Sequence, residues 1–316
     1  MTALLLPLVL LTAGAVLLTV GAEAFAEHVT GAADRLGVSV LALGVLLAGA
    51  EPEEAVTAML ASRQGHPALA AGDAVGANLV ILTLTLGLAA LVTRLPVGRA
   101  TVTYGVAAAV AGAVAVVLLR NGVLGRLEGL LLVLLYVGGV VWVWRRERRP
   151  PLIGELAELA EDDHDDDTGQ GRALPLLLLG VLGMVVGGAL AVRGAAGLVE
   201  VWRVGESVVG LTVLALATSA EMVALVWAGR RRGLTELVVA GTVGAVAYNA
   251  TVTLGLAALV NPLALGRHNV IGTVAVLTSV LPLVLLLGAR AGHLPRWVGA
   301  VLVAGYAGTV VLLLAG

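Results

Sequence analysis

The chain of 316 residues is 59% hydrophobic and only 13% charged, with a mean hydropathy of +1.02. Water-soluble domains carry about 25% charged residues, so this composition excludes an ordinary soluble domain. The net charge of −2 argues against a nucleic-acid partner, and the absence of cysteine excludes a disulfide framework and a thiolate metal site.

Apolar runs, taken in chain order, predict ten membrane-spanning helices. Each run has roughly 20 or more residues, the length that a helix needs to cross about 30 Å of hydrocarbon. The short alternating segments of a membrane β-barrel are absent from the sequence. The first run lacks a basic start and is too long for a secretory signal, so we interpret it as the first span. The predicted spans are residues 3–25, 36–62, 68–93, 100–119, 125–144, 174–195, 204–229, 234–260, 269–289 and 296–315.

A hydrophilic segment separates the first five predicted spans from the last five. It begins with an arginine- and proline-rich stretch and continues into the acidic run Glu161–Asp167. This composition is typical of a solvated connector. We therefore predict a first five-helix repeat in residues 1–144, a linker in residues 145–173 and a second five-helix repeat in residues 174–316.

The two halves resemble each other in sequence. A shift of 168 positions aligns residues 37–92 with 205–260 without a gap, with roughly 22 identities in 56 positions. Glu53 then falls on Glu221, and with a shift of two more Gly129 falls on Gly299. Because each half has an odd number of helices, the second copy must cross the membrane upside down. The predicted fold is an all-α membrane protein with ten transmembrane helices in two inverted-topology five-helix repeats.

Arginine indicates the orientation, since the chain contains no lysine. Connections on the side of the acidic linker carry about thirteen arginines, against about six on the opposite side. The positive-inside rule then places the linker in the cytoplasm and both termini outside. We predict a multi-pass protein of the cell membrane whose partners are inorganic cations and the lipid bilayer.

Two polar clusters interrupt the apolar runs at equivalent points of the repeat. They are Gly-Ala-Glu-Pro-Glu-Glu at residues 49–54 and Ala-Thr-Ser-Ala-Glu at residues 217–221. A carboxylate at the bilayer centre costs at least about 2.5–3.5 kcal/mol, so it persists where it is paired, protonated or facing water. Pro52 is expected to kink its helix and free carbonyl oxygens, and an oxygen-rich site suits Ca²⁺. The candidate cation-binding residues are Glu51, Glu53, Glu54, Thr218, Ser219 and Glu221.

The choice among the first three glutamates stays open at this point. Glu51 and Glu54 share a helix face, whereas the internal repeat selects Glu53. A purely structural role, hydrogen-bonded inside a helix bundle, is the simpler alternative for any one glutamate. The third and eighth spans add Asp73, Asn78 and Asn249 as weaker polar positions. Asp73 lies near a helix end, where we expect it to be solvated, so Asn249 is the better ligand candidate.

At these residues the chain resembles the cation/Ca²⁺ exchanger superfamily, which includes the Na⁺/Ca²⁺ exchangers and their H⁺/Ca²⁺ relatives. That family has two inverted repeats, each with a Gly-Thr-Ser-Leu-Pro-Glu or Gly-Asn-Ala-x-Glu motif followed by Gly-Ser-Asn-x-x-Asn/Asp. Residues 217–221 keep the Thr-Ser pair with the glutamate spacing of the proton-coupled branch, and Glu54 has the sodium-coupled spacing. The resemblance covers essentially the whole chain. It implies a secondary active antiporter without an organic cofactor, whose first and sixth helices slide past the others.

The chain also departs from the family pattern. Ala77 and Ala245 stand where the family has serine, Ile81 replaces the first-repeat asparagine, and Ala50 replaces a threonine. Fewer neutral oxygens disfavour several Na⁺ sites and leave protons as an equally good coupling ion. The alternative is a transport-inactive or channel-like protein that retains the exchanger scaffold. An enzyme is not expected, because neither His-Glu-x-x-His nor Gly-x-Ser-x-Gly occurs.

Overall fold

The computed structural model describes residues 2–36, 50–147, 173–222, 235–267 and 269–315, which are almost wholly helical. Within these residues we number the helices in chain order. They are α1 (Thr2–Leu36), α2 (Pro52–Arg63), α3 (Pro67–Val92), α4 (Arg99–Leu119), α5 (Arg126–Glu147), α6 (Ala173–Trp202), α7 (Glu206–Thr218), α8 (Thr235–Tyr248, a π turn, then Leu254–Val260), α9 (Val270–Ala289) and α10 (Arg296–Ala315). Two short strands, β1 (Val123–Leu124) and β2 (Leu263–Ala264), pair in antiparallel fashion.

Eight of the described helices are long and apolar enough to cross a membrane, namely all except α2 and α7. Their outward faces carry exposed leucine and valine, as lipid-facing surfaces do. The chain is therefore a helical membrane protein. The predicted second and seventh spans include residues 37–49 and 223–229, which lie outside the described residues, as does most of the predicted linker. The count of ten spans stays a prediction.

Helices α1 and α6 are longer than the predicted spans. The prediction ended them at residues 25 and 195, whereas they continue to Leu36 and Trp202. Charged residues such as Glu27 end a hydrophobic span but do not end a helix, because glutamate is a good helix former. The 35 residues of α1 extend over roughly 52 Å at 1.5 Å per residue, well beyond about 30 Å of hydrocarbon.

Helices α1 and α6 pack against each other along much of their length. Their backbones meet at Gly14 and Gly187, where a Cβ added to Gly14 would lie 2.7 Å from the Gly187 carbonyl oxygen. Only glycine permits this approach, which is typical of helix pairs in membranes. The pair also contacts α2 and the end of α7, and it therefore lies beside the helices that carry the two polar clusters.

Contacts between the two halves recur with their partners exchanged. β1 pairs with β2 through Val123 and Ala264, and an isolated antiparallel bridge joins Pro96 to His293. The internal repeat aligns Pro96 with Ala264 and Val123 with His293. Each residue of one pair is thus the repeat equivalent of a residue in the other pair. Elements related by a two-fold axis form contacts in this way. Helices α3 and α8 lie at the centre of this arrangement and are mostly buried.

Candidate functional site

Three glutamates gather where α2 begins. Glu51 precedes the helix with φ −120° and ψ 74°, and Pro52 occupies its first position, where the missing N–H removes no helical hydrogen bond. Glu53 and Glu54 follow in the first turn. All three side chains are buried, with Glu54 fully inaccessible. The positive end of the helix dipole favours negative charge at this place.

The second cluster lies where α7 ends. The helix stops at Thr218, and Ser219 has non-helical angles, φ −84° and ψ 9°. The repeat aligns Ser219 with Glu51, so α2 begins and α7 ends near equivalent positions of the repeat. A helix C-terminus presents free carbonyl oxygens and the negative end of its dipole, which favours a bound cation.

Hydrogen bonds connect the end of α7 to carboxylates on two other helices. Ser219 Oγ donates to Glu54 Oε1 of α2 at 2.7 Å, and Thr218 Oγ1 donates to Asp73 Oδ1 of α3 at 3.1 Å. All four side chains are almost completely buried. Two consecutive hydroxyls therefore hold two carboxylates from different helices in one buried cluster.

Asp73 is the residue that the sequence analysis placed wrongly. We expected it to be solvated near a helix end, but it is fully buried. The backbone of α7 covers this part of α3: a Cβ on Gly76 would lie 2.7 Å from the Leu211 carbonyl oxygen. The two glycines that flank Asp73, Gly72 and Gly76, are the sequence signal of this close approach.

Glu53 and Glu221 lie near the cluster and interact with it electrostatically. Glu221 is half-buried in the helical turn after Ser219 and interacts electrostatically with Glu54. Glu53 interacts with both Glu54 and Asp73. Within the described residues, no three histidine or acidic side chains lie close enough together to hold a metal ion. A cation site here needs neutral oxygens in addition to carboxylates.

The two asparagines make hydrogen bonds within the central helices. Asn78 Nδ2 donates to the Val246 carbonyl oxygen at 3.1 Å, and Asn249 Oδ1 accepts from Thr253 Oγ1 at 2.8 Å. Asn249 begins the π turn Asn249–Thr253 of α8, and π turns are frequent at functional sites. Neither of these hydrogen bonds connects an asparagine to the glutamates.

Several carboxylate oxygens in the cluster are buried without a hydrogen-bond partner in the described part of the chain: Glu53 Oε2, Glu54 Oε2 and Asp73 Oδ2. The ion pairs found among the described residues are His28–Glu27 and His66–Glu206, so no arginine neutralises the cluster there. A buried charge without a counter-charge is strongly unfavourable. The negative charge of the cluster must therefore be neutralised by bound protons or by positive charge that the described residues do not supply.

A cavity of about 300 Å³ between α4, α5 and α8 is chemically different from this cluster. Its walls are almost entirely apolar, with Tyr104, Tyr136 and Trp142 among alanines and valines. Such a surface offers a cation too few oxygens for binding. The carboxylate cluster is therefore the candidate functional site.

Buried carboxylates where helices begin and end are typical of the class of helical membrane proteins that transport ions. Comparison with known families agrees with this class. The family model described as "Sodium/calcium exchanger protein" matches residues 6–145 and 172–315. The chain belongs to this family, and the resemblance found in the sequence is confirmed.

Individual relatives and a solved structure extend the comparison. Inner membrane protein YrbG of Escherichia coli K12 is 30% identical over 290 residues, which cover 86% of this chain and 83% of that protein. The protein named "Putative antiporter CaxA" of Alkalimonas amylolytica is 26% identical over 296 residues, which cover 90% of each chain. A structure of the sodium-calcium exchanger NCX_Mj soaked with Na⁺ and Sr²⁺ superposes with a TM-score of 0.63 at 21% identity and covers 98% of both chains. That likeness shows a shared fold.

Proposed function

We propose that this protein is a secondary active antiporter that exchanges Ca²⁺, or another divalent cation, for Na⁺ or H⁺. Membership of the sodium/calcium exchanger family supports cation exchange in general. The observation that carries the specific proposal is the buried hydrogen bond from Ser219 to Glu54, which places a carboxylate of α2 against the broken end of α7. The eight candidate ligands named above remain part of this proposal, with Glu54 as the central first-repeat ligand.

The mechanism that we propose is alternating access. The cluster binds either the divalent cation or the coupling ion, and competition for the same carboxylates makes transport an exchange. The α1–α6 pair then slides across the site to open it to one side at a time. Two features support sliding: glycine contacts let the pair behave as one unit, and its two helices flank α2 and the end of α7.

An inverted repeat is the second element of the proposal, with the five-helix repeats in residues 1–144 and 174–316 on either side of a linker in residues 145–173. The Val123–Ala264 and Pro96–His293 pairs support it, because the repeat aligns each residue of one pair with a residue of the other. Two glycine contacts between helices are related in the same way. A Cβ on Gly129 would lie 2.7 Å from the Gly255 carbonyl oxygen, and one on Gly299 would lie 2.7 Å from the Gly87 carbonyl oxygen. The repeat aligns Gly87 with Gly255 and Gly129 with Gly299. A two-fold axis in the membrane plane accounts for both pairs.

The orientation that we propose follows from the arginines, with the linker in the cytoplasm and both termini outside. It puts the Val123–Ala264 pair on the outer face and the Pro96–His293 bridge on the inner face. A tag inserted at residues 155–170 is expected to be protected from protease added to intact cells. Cleavage from outside would reverse the orientation.

Ion flux into proteoliposomes tests the function directly. Purified protein is reconstituted, and ⁴⁵Ca²⁺ uptake is measured with a Na⁺ gradient, a pH gradient or no gradient. We expect gradient-driven uptake that Glu54→Gln abolishes, whereas Glu200→Gln on the exposed surface of α6 leaves it unchanged. Uptake that ignores both gradients would contradict antiport.

A transport-inactive or channel-like protein on the same scaffold is the second candidate. Ala77, Ala245 and Ile81 favour it, because they place buried apolar side chains where the family carries polar ligands. The flux experiment separates the two: a channel conducts without a counter-ion, and an inactive scaffold shows no flux although the protein is folded.

A further inference from the structure

We propose that Asp73 is a ligand of the transported divalent cation, and that Glu54 and Asp73 hold this ion between α2 and α3. The inference rests on the proposed antiport function. Asp73 has no acidic counterpart in the second half, where the aligned residue is Gly241. The site is therefore asymmetric in its charge.

The position of Asp73 is determined by close packing of α3 against α7. A Cβ on Gly72 would lie 3.0 Å from the Gly210 Cα atom, and Gly76 packs equally tightly against Leu211. These contacts bring the carboxylate of Asp73 to the end of α7, where Thr218 donates to it. The side chain is fully buried, so bulk water does not solvate its charge.

Each carboxylate of the pair has one oxygen held by a hydroxyl and one oxygen free of hydrogen bonds within the described residues. Thr218 and Ser219 bind Asp73 Oδ1 and Glu54 Oε1, whereas Asp73 Oδ2 and Glu54 Oε2 are buried without a hydrogen-bond partner there. A hydroxyl that donates its proton to a carboxylate keeps its lone pairs for a cation. The cluster thus offers carboxylate and hydroxyl oxygens, the ligand types that Ca²⁺ prefers.

Charge balance also favours a divalent ion at this pair. Glu54 and Asp73 interact electrostatically inside the protein, and neither forms an ion pair with arginine or histidine among the described residues. One divalent cation balances the two charges of this pair, whereas a monovalent cation leaves one of them buried and uncompensated. Glu53 and Glu221 add further negative charge nearby, which also favours the ion of higher charge. Asp73 therefore sets the preference for a divalent over a monovalent cation.

The test uses Asp73→Asn in the full-length reconstituted protein. Asparagine keeps the size of the side chain and an oxygen for Thr218, but it removes the charge. We expect the half-saturating Ca²⁺ concentration of uptake to rise at least tenfold, with unchanged thermal unfolding in the absence of Ca²⁺. Thr218→Ala, which keeps the carboxylate, is expected to raise it less than Asp73→Asn does. A purely structural role predicts equal effects of the two variants together with lower thermal stability, and that result would overturn the inference.

A second measurement does not depend on how a variant folds. Wild-type protein is treated with a hydrophobic carbodiimide, which modifies buried carboxyl groups, and the labelled peptides are identified by mass spectrometry. We expect saturating Ca²⁺ to protect Asp73 and Glu54 together. Protection of Glu54 alone, or normal Ca²⁺ affinity in Asp73→Asn, would refute the role of Asp73 and leave the antiport proposal intact. A wild-type protein without Ca²⁺ binding or cation flux would refute both.

Discussion

Asn78 Nδ2 donates a hydrogen bond of 3.1 Å to the main-chain carbonyl oxygen of Val246, the residue that the internal repeat aligns with Asn78. The inverted repeat proposed above accounts for this contact, because a residue meets its own repeat equivalent where two copies meet at a common axis. Helices α3 and α8 contact each other here, and α3 also carries Asp73 of the carboxylate cluster.

Glu54 and Glu53 are expected to differ in their importance for transport. Glu54→Gln preserves the acceptor for Ser219 but removes the charge, so we expect uptake to fall by about a hundredfold or more, as for breaking a buried charge interaction. Glu53→Gln is expected to lower uptake by less than about tenfold, because Ser219 of α7 donates to Glu54 instead. Initial rates of ⁴⁵Ca²⁺ uptake measure both, with Glu200→Gln as the control. The reverse order would identify Glu53 as the ligand that the repeat selects.

Glu221 contributes negative charge to the same cluster from the far side of Ser219. Since Glu221 interacts electrostatically with Glu54, Glu221→Gln is expected to reduce transport by at least about tenfold while the protein remains folded. Uptake and thermal unfolding of the purified variant are measured side by side. Normal flux in this variant would remove Glu221 from the site.

Introduced cysteine pairs test the inverted repeat and the orientation together. The natural chain has no cysteine, so each pair is unambiguous. Residues opposite each other in an antiparallel pair have Cα atoms about 4.5–5.5 Å apart, within the range for a disulfide. We expect Val123→Cys/Ala264→Cys and Pro96→Cys/His293→Cys both to crosslink, and single cysteines at Val123 and His293 to react with an impermeant maleimide from opposite sides.

The matched control for these pairs combines repeat-equivalent positions, Val123→Cys/His293→Cys. It is expected not to crosslink, because the two residues lie on opposite membrane faces in the inverted arrangement. Crosslinking of this control, or labelling of both single cysteines from the same side of intact vesicles, would show that the repeats are not inverted.

The contact between Gly14 and Gly187 is expected to be essential for the α1–α6 pair. Gly14→Val would force the helices apart, at a cost of about 1–3 kcal/mol for overpacking. We expect a lower temperature of thermal unfolding in detergent. Gly138→Val in α5 serves as the control, since no atom lies within 4 Å of the position where its Cβ begins. Equal losses in both variants would mean that the close contact is unimportant.

The coupling ion is expected to be the proton. The chain has alanine or isoleucine at several positions where the sodium-coupled family members carry neutral oxygens, and Na⁺ needs such oxygens to replace its hydration shell. Crowded carboxylates in a low-dielectric site favour the protonated form, because like charges and desolvation both disfavour ionisation. Divalent-cation uptake should therefore be driven by a pH gradient without Na⁺ and should fall as the medium is acidified. Uptake that only a Na⁺ gradient drives would reject this expectation.

The hydrophobic runs determined most of the fold. Spans of about 20 apolar residues can only be helices in a bilayer, because every backbone polar group must be satisfied within the segment. Their positions therefore follow from composition alone, as they do for α3, α4, α5, α9 and α10. The ends of α1 and α6 did not follow, since a helix continues past the bilayer wherever its residues favour helix.

The candidate site was only partly readable from the sequence. Glu51, Glu53, Glu54, Thr218 and Ser219 stand out because charged and hydroxyl residues are rare and costly inside apolar spans. The internal repeat then aligns the polar cluster at the start of α2 with the one at the end of α7. Periodicity could not choose among the glutamates, because the choice depends on which of them reaches Ser219, about 165 residues away along the chain.

The sequence by itself determined that this is a helical membrane protein of the exchanger family, since hydropathy and motif spacing are local properties of the chain. Only the tertiary structure decided that Asp73 lies in the buried carboxylate cluster and that Thr218 and Ser219 hold two carboxylates from different helices. The physical reason is that burial is a property of packing: Asp73 is inaccessible because α7 covers its helix through backbone contacts at glycines. No pattern within α3 alone specifies that neighbour.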